Sequence, residues 1–376
     1  MPAHLKDAFR ETGIRTHILH TFQSRIIMKE KENKAAKSAD IKFRNLIDLH
    51  VHLDGSLPMH TARRLMTEEE NASLSDAALH TLLSVPEDCR SLNDYLARFD
   101  FPLHLLQTPE AAAICTEDVL TEQKKQGLIY TELRFAPQSL TRKGYTQKEI
   151  LEGALAGLNH FLSGQDGSDA PLHASLILCA MRGSGNEKEN LRTLELAAEF
   201  LSRGVCGFDL AGAEALFPTE NYEDLFRTAR EMQVPFTIHA GEAAGPGSIR
   251  SALSFGAARI GHGIRCTEDP ALMDLLAARE IPLEICPTSN LNTRIFPDLS
   301  VYPLRKLMDA GIRITINTDN MAVSDTTEPR EFAGIAAALE LTEAECRSFL
   351  MNAAEAAFAP QKEKERLMAL LTSTAL

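Results

Sequence analysis

The stretch "LIDLHVHL" at residues 46–53 sets β-branched and apolar residues around two histidines, His50 and His52, and it is the first of eight short apolar runs in the chain. The others are "LIYTELRFA" (128–136), "LHASLILCAM" (172–181), "GVCGFDLAG" (204–212), "PFTIHAG" (235–241), "ARIGHG" (258–263), "IPLEICPTS" (281–289) and "IRITINTD" (312–319). Each has the length and residue bias of a strand. Between them, segments such as "ENLRTLELAAEFLSRG", "YEDLFRTAREMQ" and "YPLRKLMDAG" carry apolar residues three and four apart, often with a glycine just past the end. That is the pattern of helices and their C-terminal caps. Eight strand–helix units in succession predict an α/β protein, a TIM-type (β/α)8 barrel of parallel strands with its helices outside. A doubly wound open sheet is the alternative, but no glycine-rich phosphate turn follows the first strand. Extra helices are expected after strand 1, over residues 60–127, and at the C-terminus, over 331–371. An insertion after strand 1 falls on the face where barrel loops build active sites.

With 376 residues, 44% hydrophobic and 24% charged, the composition is that of an ordinary globular protein. The formal net charge of −13 disfavours nucleic acid and anionic membranes, whose phosphates would repel it. A small molecule is the better partner. No run approaches ~18 consecutive apolar residues, so no membrane span is expected. Residues 1–40 read as a polar, poorly ordered N-terminal extension ahead of a single domain over 41–376, with Met28 before "KEKENKAAKSAD" as an alternative start. Charged residues scattered over that extension argue against a secretory signal. Seven cysteines, odd in number and without a Cys-x-x-Cys pair, fit a reducing cytoplasm in which buried thiols act as small apolar side chains.

Polar residues collect at the C-terminal ends of the predicted strands, where a barrel places catalytic side chains. His50 and His52 are two apart, so on a strand both rings point into the barrel mouth. Alone, that pair is as well explained by hydrogen-bonded core histidines as by a divalent metal. His239 brings a third imidazole from strand 5, and Asp319 a carboxylate from the strand that closes beside strand 1. Three nitrogens and one oxygen make a zinc-like donor set that leaves room for a water or substrate oxygen. A structural zinc would draw on cysteines, and none accompanies this set. Glu242, three residues past His239 in a glycine-containing turn, is either a proton donor to a substrate nitrogen or a solvated turn residue. His262, between Gly261 and Gly263, is the base or electrostatic stabiliser for the reacting water, or a satisfied core histidine. Strand 4 has no lysine to bridge two ions, which favours one metal, although Asp209 or Glu132 could bridge instead.

Taken together the motifs resemble the adenosine deaminase family of the metal-dependent amidohydrolase superfamily, over roughly residues 45–360. The resemblance rests on "DLHVHLDGS", "YTELRFAPQ", "GFDLAGAE", "HAGE", "RIGHG", "CPTSN" and "NTD", in family order. It implies one zinc ion per subunit bound by His50, His52, His239 and Asp319, with Glu242, His262 and Asp319 as the catalytic groups. It also implies hydrolytic deamination of adenosine, and of 2'-deoxyadenosine, to inosine and ammonia by a zinc-activated hydroxide, in purine salvage. The partners would be a purine nucleoside and water. Glu242 would protonate the ring nitrogen beside the reacting carbon, with its pKa raised by burial. The Gly212 amide would meet a purine nitrogen, and Asp54 and His52 would face the ribose. Leu92, Tyr95, Leu96 and Phe99 follow i, i+3, i+4, i+7 on the inserted helix, and would cover the nucleoside or simply pack into the core.

Asn320 departs from the pattern, because most relatives carry a second aspartate there. In the family that residue meets the imidazole-side ring nitrogen of the purine, a hydrogen-bond acceptor. A carboxylate donates to it only when protonated, whereas an amide donates at any pH. Asn320 is therefore expected to preserve purine recognition while leaving room for an altered purine. Adenine deaminase is the nearest rival, but its relatives usually carry an acid where this chain has Gly261, and a phenylalanine-rich ending where strand 2 reads "LRFAPQ". A modified nucleoside is a further alternative, while a nucleotide is disfavoured for want of a basic cluster near the motifs. An inactive barrel serving as a binding protein would have lost a ligand or the acid, and all are present. Neither a cytidine-deaminase zinc motif nor a Gly-x-Ser-x-Gly elbow occurs.

Overall fold

A computed structural model describes residues 43–86, 89, 91–165 and 171–373. The expected extension, residues 1–40, lies outside them. The eight strands come in the predicted order: β1 (Leu46–His52), β2 (Leu128–Phe135), β3 (His173–Met181), β4 (Val205–Ala211), β5 (Thr237–Ala240), β6 (Arg259–His262), β7 (Leu283–Ile285) and β8 (Ile314–Ile316). All neighbours are parallel, in two four-stranded sheets ordered β1-β2-β3-β4 and β5-β6-β7-β8.

Single parallel bridges join the sheets at both seams, Phe208 with Phe236 and Val51 with Asp319. At the second seam the His52 amide donates to the Asp319 carbonyl at 2.7 Å, and the Asp319 amide to the His50 carbonyl at 2.8 Å. The seams make a TIM-type barrel. β1, β2 and β4 are buried along their whole length, as helices on the outside and packed side chains within require. Closure is also what sets the end of β1 beside the turn after β8.

Among the described residues, short helices at Met59–Leu65, Glu68–Ser73, Asp76–Leu83, Leu92–Leu96 and Asp100–Leu105 fill the insertion after β1, before the long crossover helix Pro109–Lys125. Thr108 caps that crossover helix by accepting the Ala111 amide, and Pro109 fits its first turn. The helices Glu328–Leu339, Glu343–Ala356 and Gln361–Ser373 form the C-terminal addition. Phe358, between the last two, packs against β4 and β6. Its ring lies 3.8 Å from the Arg259 guanidinium carbon, and a Cβ at Gly207 would come within 2.6 Å of it.

Three local readings change. β7 ends at Ile285 and Pro287–Asn292 is a helix, so "PTS" does not extend the strand. Pro287 has no amide for the ladder and suits a first helical turn. β8 ends at Ile316, and Asp319 stands in the following turn with left-handed φ of 59°. Within the expected helical insertion, residues 92–105 divide into Leu92–Leu96, a 3-10 turn at Ala97–Phe99 and Asp100–Leu105, because Pro102 removes the amide that would bond to Arg98. No helix among the described residues is long and apolar enough to cross a membrane.

Candidate active site

The C-terminal ends of β1, β5 and β6 and the turn after β8 meet around one cavity of about 280 Å3. His52, Asp54, Gly212, His239, Glu242, His262, Asp319 and Asn320 all line it, and His50 lies beneath, fully buried. β1 carries one extra residue against β2, with Asp48 opposite Thr131 but Val51 opposite Leu133. Such a bulge re-aims a strand end, and both histidine rings of β1 reach the site with centroids 5.4 Å apart.

Ligating atoms of His50, His239, His262 and Asp319 lie within 4.8 Å of one another. His52 Nε2 adds to them, 3.2 Å from His239 Nε2 and 3.5 Å from Asp319 Oδ1. The four expected ligands therefore converge, and His262 comes equally close. His50 Nε2 is buried without a hydrogen-bond partner, while Nδ1 meets Glu284 Oε2 at 2.7 Å. An ionised carboxylate cannot donate, so the ring proton is on Nδ1 and Nε2 presents a lone pair. His239 repeats the arrangement, with Nδ1 3.0 Å from Asp209 Oδ2. Carboxylates behind imidazoles are the usual means of orienting metal-binding histidines. A buried nitrogen left unmatched costs about 1–3 kcal/mol, and a divalent metal is the partner this nitrogen and oxygen set suits.

The two supporting carboxylates are held by arginine. Arg134 lies 3.0 Å from both Asp209 Oδ2 and Glu284 Oε2, and Arg259 joins Glu284 to Glu132 at 2.6 Å each. Burial alone would raise the Glu284 pKa, but Arg134 and Arg259 hold it well below the usual carboxylate range. Asp209 is likewise kept low against burial, by His239 and Arg134. Asp209 is engaged by His239 and Arg134, and Glu132 by Arg259. Sequence reasoning left this layer undescribed, although charged residues inside the apolar runs "ELRF", "GFDL" and "LEI" were its signal.

Glu242 is buried, with Oε2 3.7 Å from His262 Nε2. Burial pushes its pKa well above the usual range, and the charges of Asp319 and Glu214 add to the effect. Burial also depresses His262 well below the ordinary imidazole value. His262 Nδ1 is 3.2 Å from Asn290 Nδ2, and the Tyr302 hydroxyl donates to Asn290 Oδ1 at 2.7 Å. A Cβ at Gly261 would stand 3.1 Å from His239 Cα and 3.2 Å from His50 Cε1, so a side chain there would press on two ligands.

Leu92, Tyr95, Leu96 and Phe99 all face the cavity. Tyr95 is the buried one, its hydroxyl 2.7 Å from Ser324 Oγ. Asn320 is buried against Gly55, where a Cβ would lie 1.7 Å from Asn320 Oδ1. Asp54 is buried too, which raises its pKa to about 6.

Known proteins share this plan. The adenosine deaminase family model matches residues 45–374. Adenosine deaminases from Haemophilus ducreyi and Enterococcus faecalis are 44% and 39% identical over 329 and 323 residues, covering 86% and 85% of this chain and 94% of each relative. An Arabidopsis N6-mAMP deaminase of known structure is similar with a TM-score of 0.78 at 25% identity, covering 89% of this chain and 99% of that one. The chain belongs to the adenosine deaminase family.

Proposed function

We propose that the protein is a zinc-dependent adenosine deaminase that hydrolyses adenosine, and 2'-deoxyadenosine, to the corresponding inosine and ammonia. The observation that carries this reading is the convergence of the His50, His239, His262 and Asp319 ligating atoms within 4.8 Å of one another, with His50 Nε2 buried and 3.4 Å from Asp319 Oδ1, at the base of a cavity that the buried Glu242 lines. His50, His52, His239 and Asp319 would hold one zinc ion per chain. Zinc bound there would lower the pKa of a water from ~15.7 towards ~7.

The chain's own residues supply the remaining chemistry. Glu242, neutral because burial disfavours its anion, donates its proton to the ring nitrogen beside the reacting carbon and makes that carbon electrophilic. Because Tyr302 donates to Asn290 Oδ1, the Asn290 amide nitrogen donates to His262 Nδ1, and the proton of the neutral ring faces the site on Nε2. That favours His262 as an electrostatic stabiliser that orients the attacking oxygen, with Asp319 accepting the water's proton. The Gly212 and Asn320 amides take purine ring nitrogens, and Asp54 and His52 face the ribose. Leu92, Leu96 and Phe99 exclude water above the base.

Among the described residues that line the cavity, Arg182 is the one lysine or arginine. Its guanidinium already donates to the carbonyls of Phe217 and His239 and to Thr219 Oγ1. A phosphate would find no cation to spare, which supports a nucleoside substrate. Seven free, buried thiols support a reducing, cytoplasmic setting.

The test is to measure bound zinc and follow ultraviolet absorbance with adenosine, 2'-deoxyadenosine, adenine and a methylated adenosine offered separately. Turnover of both nucleosides with one zinc per chain is expected. Zinc-loaded protein inert towards adenosine would refute the reading, and a preference for free adenine would establish the adenine deaminase alternative.

A further inference from the structure

We infer that Glu214 is the positioning residue for Glu242, fixing the turn from which that carboxyl reaches the purine; the inference rests on the deaminase reading above. Glu214 follows β4 and is 1% exposed. Its carboxylate accepts four consecutive backbone amides. Gly241 donates to Oε1 at 2.7 Å, and Glu242, Ala243 and Ala244 donate to Oε2 at 3.0, 2.7 and 2.9 Å. Ser248 Oγ donates to Oε1 as well. Five donors and no acceptor face the group, and only an acceptor on both oxygens satisfies them all.

Residues 241–244 link β5 to the helix Pro246–Phe255, and Gly241 takes a left-handed φ of 74°. Consecutive amides turned to one side form an anion-binding nest, and here the anion is a side chain of the protein itself. Since the amide of Glu242 is one of the four, the nest fixes the Cα from which its carboxyl departs. The anchoring continues through Ser248 Oγ to Thr219 Oγ1 at 2.7 Å, from Thr219 to Arg182 Nη2 at 2.9 Å, and from Arg182 Nη2 to the His239 carbonyl at 2.6 Å. The strand that supplies a metal ligand and the turn that supplies the acid are thus braced by one network. A glutamine at 214 would aim an NH2 group at N–H donors and let the turn move. A carboxyl displaced by about 1 Å from its reacting position can lose about 10²-fold in rate.

Steady-state kinetics on adenosine, with zinc content and melting temperature measured alongside, separates this role from general support of the fold. For Glu214→Gln, kcat should fall by about 30-fold or more with KM within about threefold and zinc unchanged. In a Glu242→Gln background the same substitution should lower kcat by less than about threefold further, because residues acting as a unit are not additive. Affinity for an adenosine analogue with carbon in place of the protonated ring nitrogen should change by less than about twofold. Full additivity in the double variant, or loss of analogue binding, would overturn the inference. Should Glu214→Gln fail to fold, Ser248→Ala removes one donor to the same carboxylate. It should lower kcat by about threefold or more at constant KM, and an unchanged kcat counts against the inference. Wild-type protein without adenosine turnover would instead refute the deaminase reading, before any variant is compared.

Discussion

In the proposed mechanism Glu242 gives a proton to a ring nitrogen, and burial, with the charges of Asp319 and Glu214, raises its pKa well above the usual carboxylate range. The acid form persists above the ordinary carboxylate range and is lost as pH climbs through the raised pKa, so kcat/KM for adenosine should decline on that alkaline side. Glu242→Gln keeps the shape without the acidic proton, and kcat should fall by about 10²–10⁴-fold with bound zinc unchanged in metal analysis. At position 320 the argument concerns donors. Asn320→Asp replaces an amide that donates at any pH with a group that donates only when protonated, so kcat/KM for adenosine should fall by about tenfold, the worth of roughly one hydrogen bond. A rise of about a hundredfold would show that Asn320 is not the native donor. The convergence of His50, His52, His239, Asp319 and Glu242 was legible because their residue types stand at or just past strand ends. Asn290, Arg182 and Glu214 were not, since these partners lie 27 or more positions away in sequence.

On the scale of elements, the helix Leu92–Leu96 and the residues just after the helix Asp76–Leu83 are fastened as well as packed. The Tyr95 hydroxyl reaches Ser324 Oγ at 2.7 Å, the Val85 amide donates to the Val323 carbonyl at 2.9 Å and Ser84 Oγ to the Ala322 carbonyl at 2.7 Å. The cover over the cavity is therefore tied to the turn that carries Asp319 and Asn320. Tyr95→Phe keeps the ring but breaks one tie worth about 1 kcal/mol. The KM for adenosine should rise by about three- to tenfold, with kcat changed less, in steady-state assays. The i, i+3, i+4, i+7 stripe located this helix, yet its spacing could not separate core packing from cover. All four side chains line the cavity, and Leu92, Tyr95 and Phe99 also pack with Val323 in a hydrophobic cluster. Boundaries moved where proline acts, at Pro102 and Pro287, and where Asp319 leaves the strand in a left-handed turn.

Across the whole molecule, closure brings Glu132, Arg134, Asp209, Arg259 and Glu284 into one buried interior. Such a network adds little net stability, and its clearer consequence is the orientation of His50 and His239. A different buried acid does bear on stability. Glu328 has both carboxylate oxygens buried without a partner, and burial, followed by the charges of Asp48 and Glu331, raises its pKa well above normal. Burial also pushes Glu331 to about 7 and Asp48 to about 6. Between the unfolded value of about 4.5 and the raised folded value, the native state holds a proton that the unfolded chain has released, so stability falls as pH rises through that window. Glu328→Gln removes the share of this dependence that Glu328 contributes and leaves that of Glu331 and Asp48. Its melting temperature should match wild type near pH 4.5 and exceed it by roughly 2–5 °C at pH 8.5 in thermal scans. The sequence by itself determined the eight-strand order and which histidines and acids stand at the strand ends, because strand period and strand-end chemistry are local properties of the chain. Which carboxylate stands behind which imidazole, which side chain holds the turn of Glu242, and where Asp319 meets His50 were decided only by tertiary structure. Each depends on closing a barrel between residues as far apart as 270 positions, as Asp48 and Thr318 are.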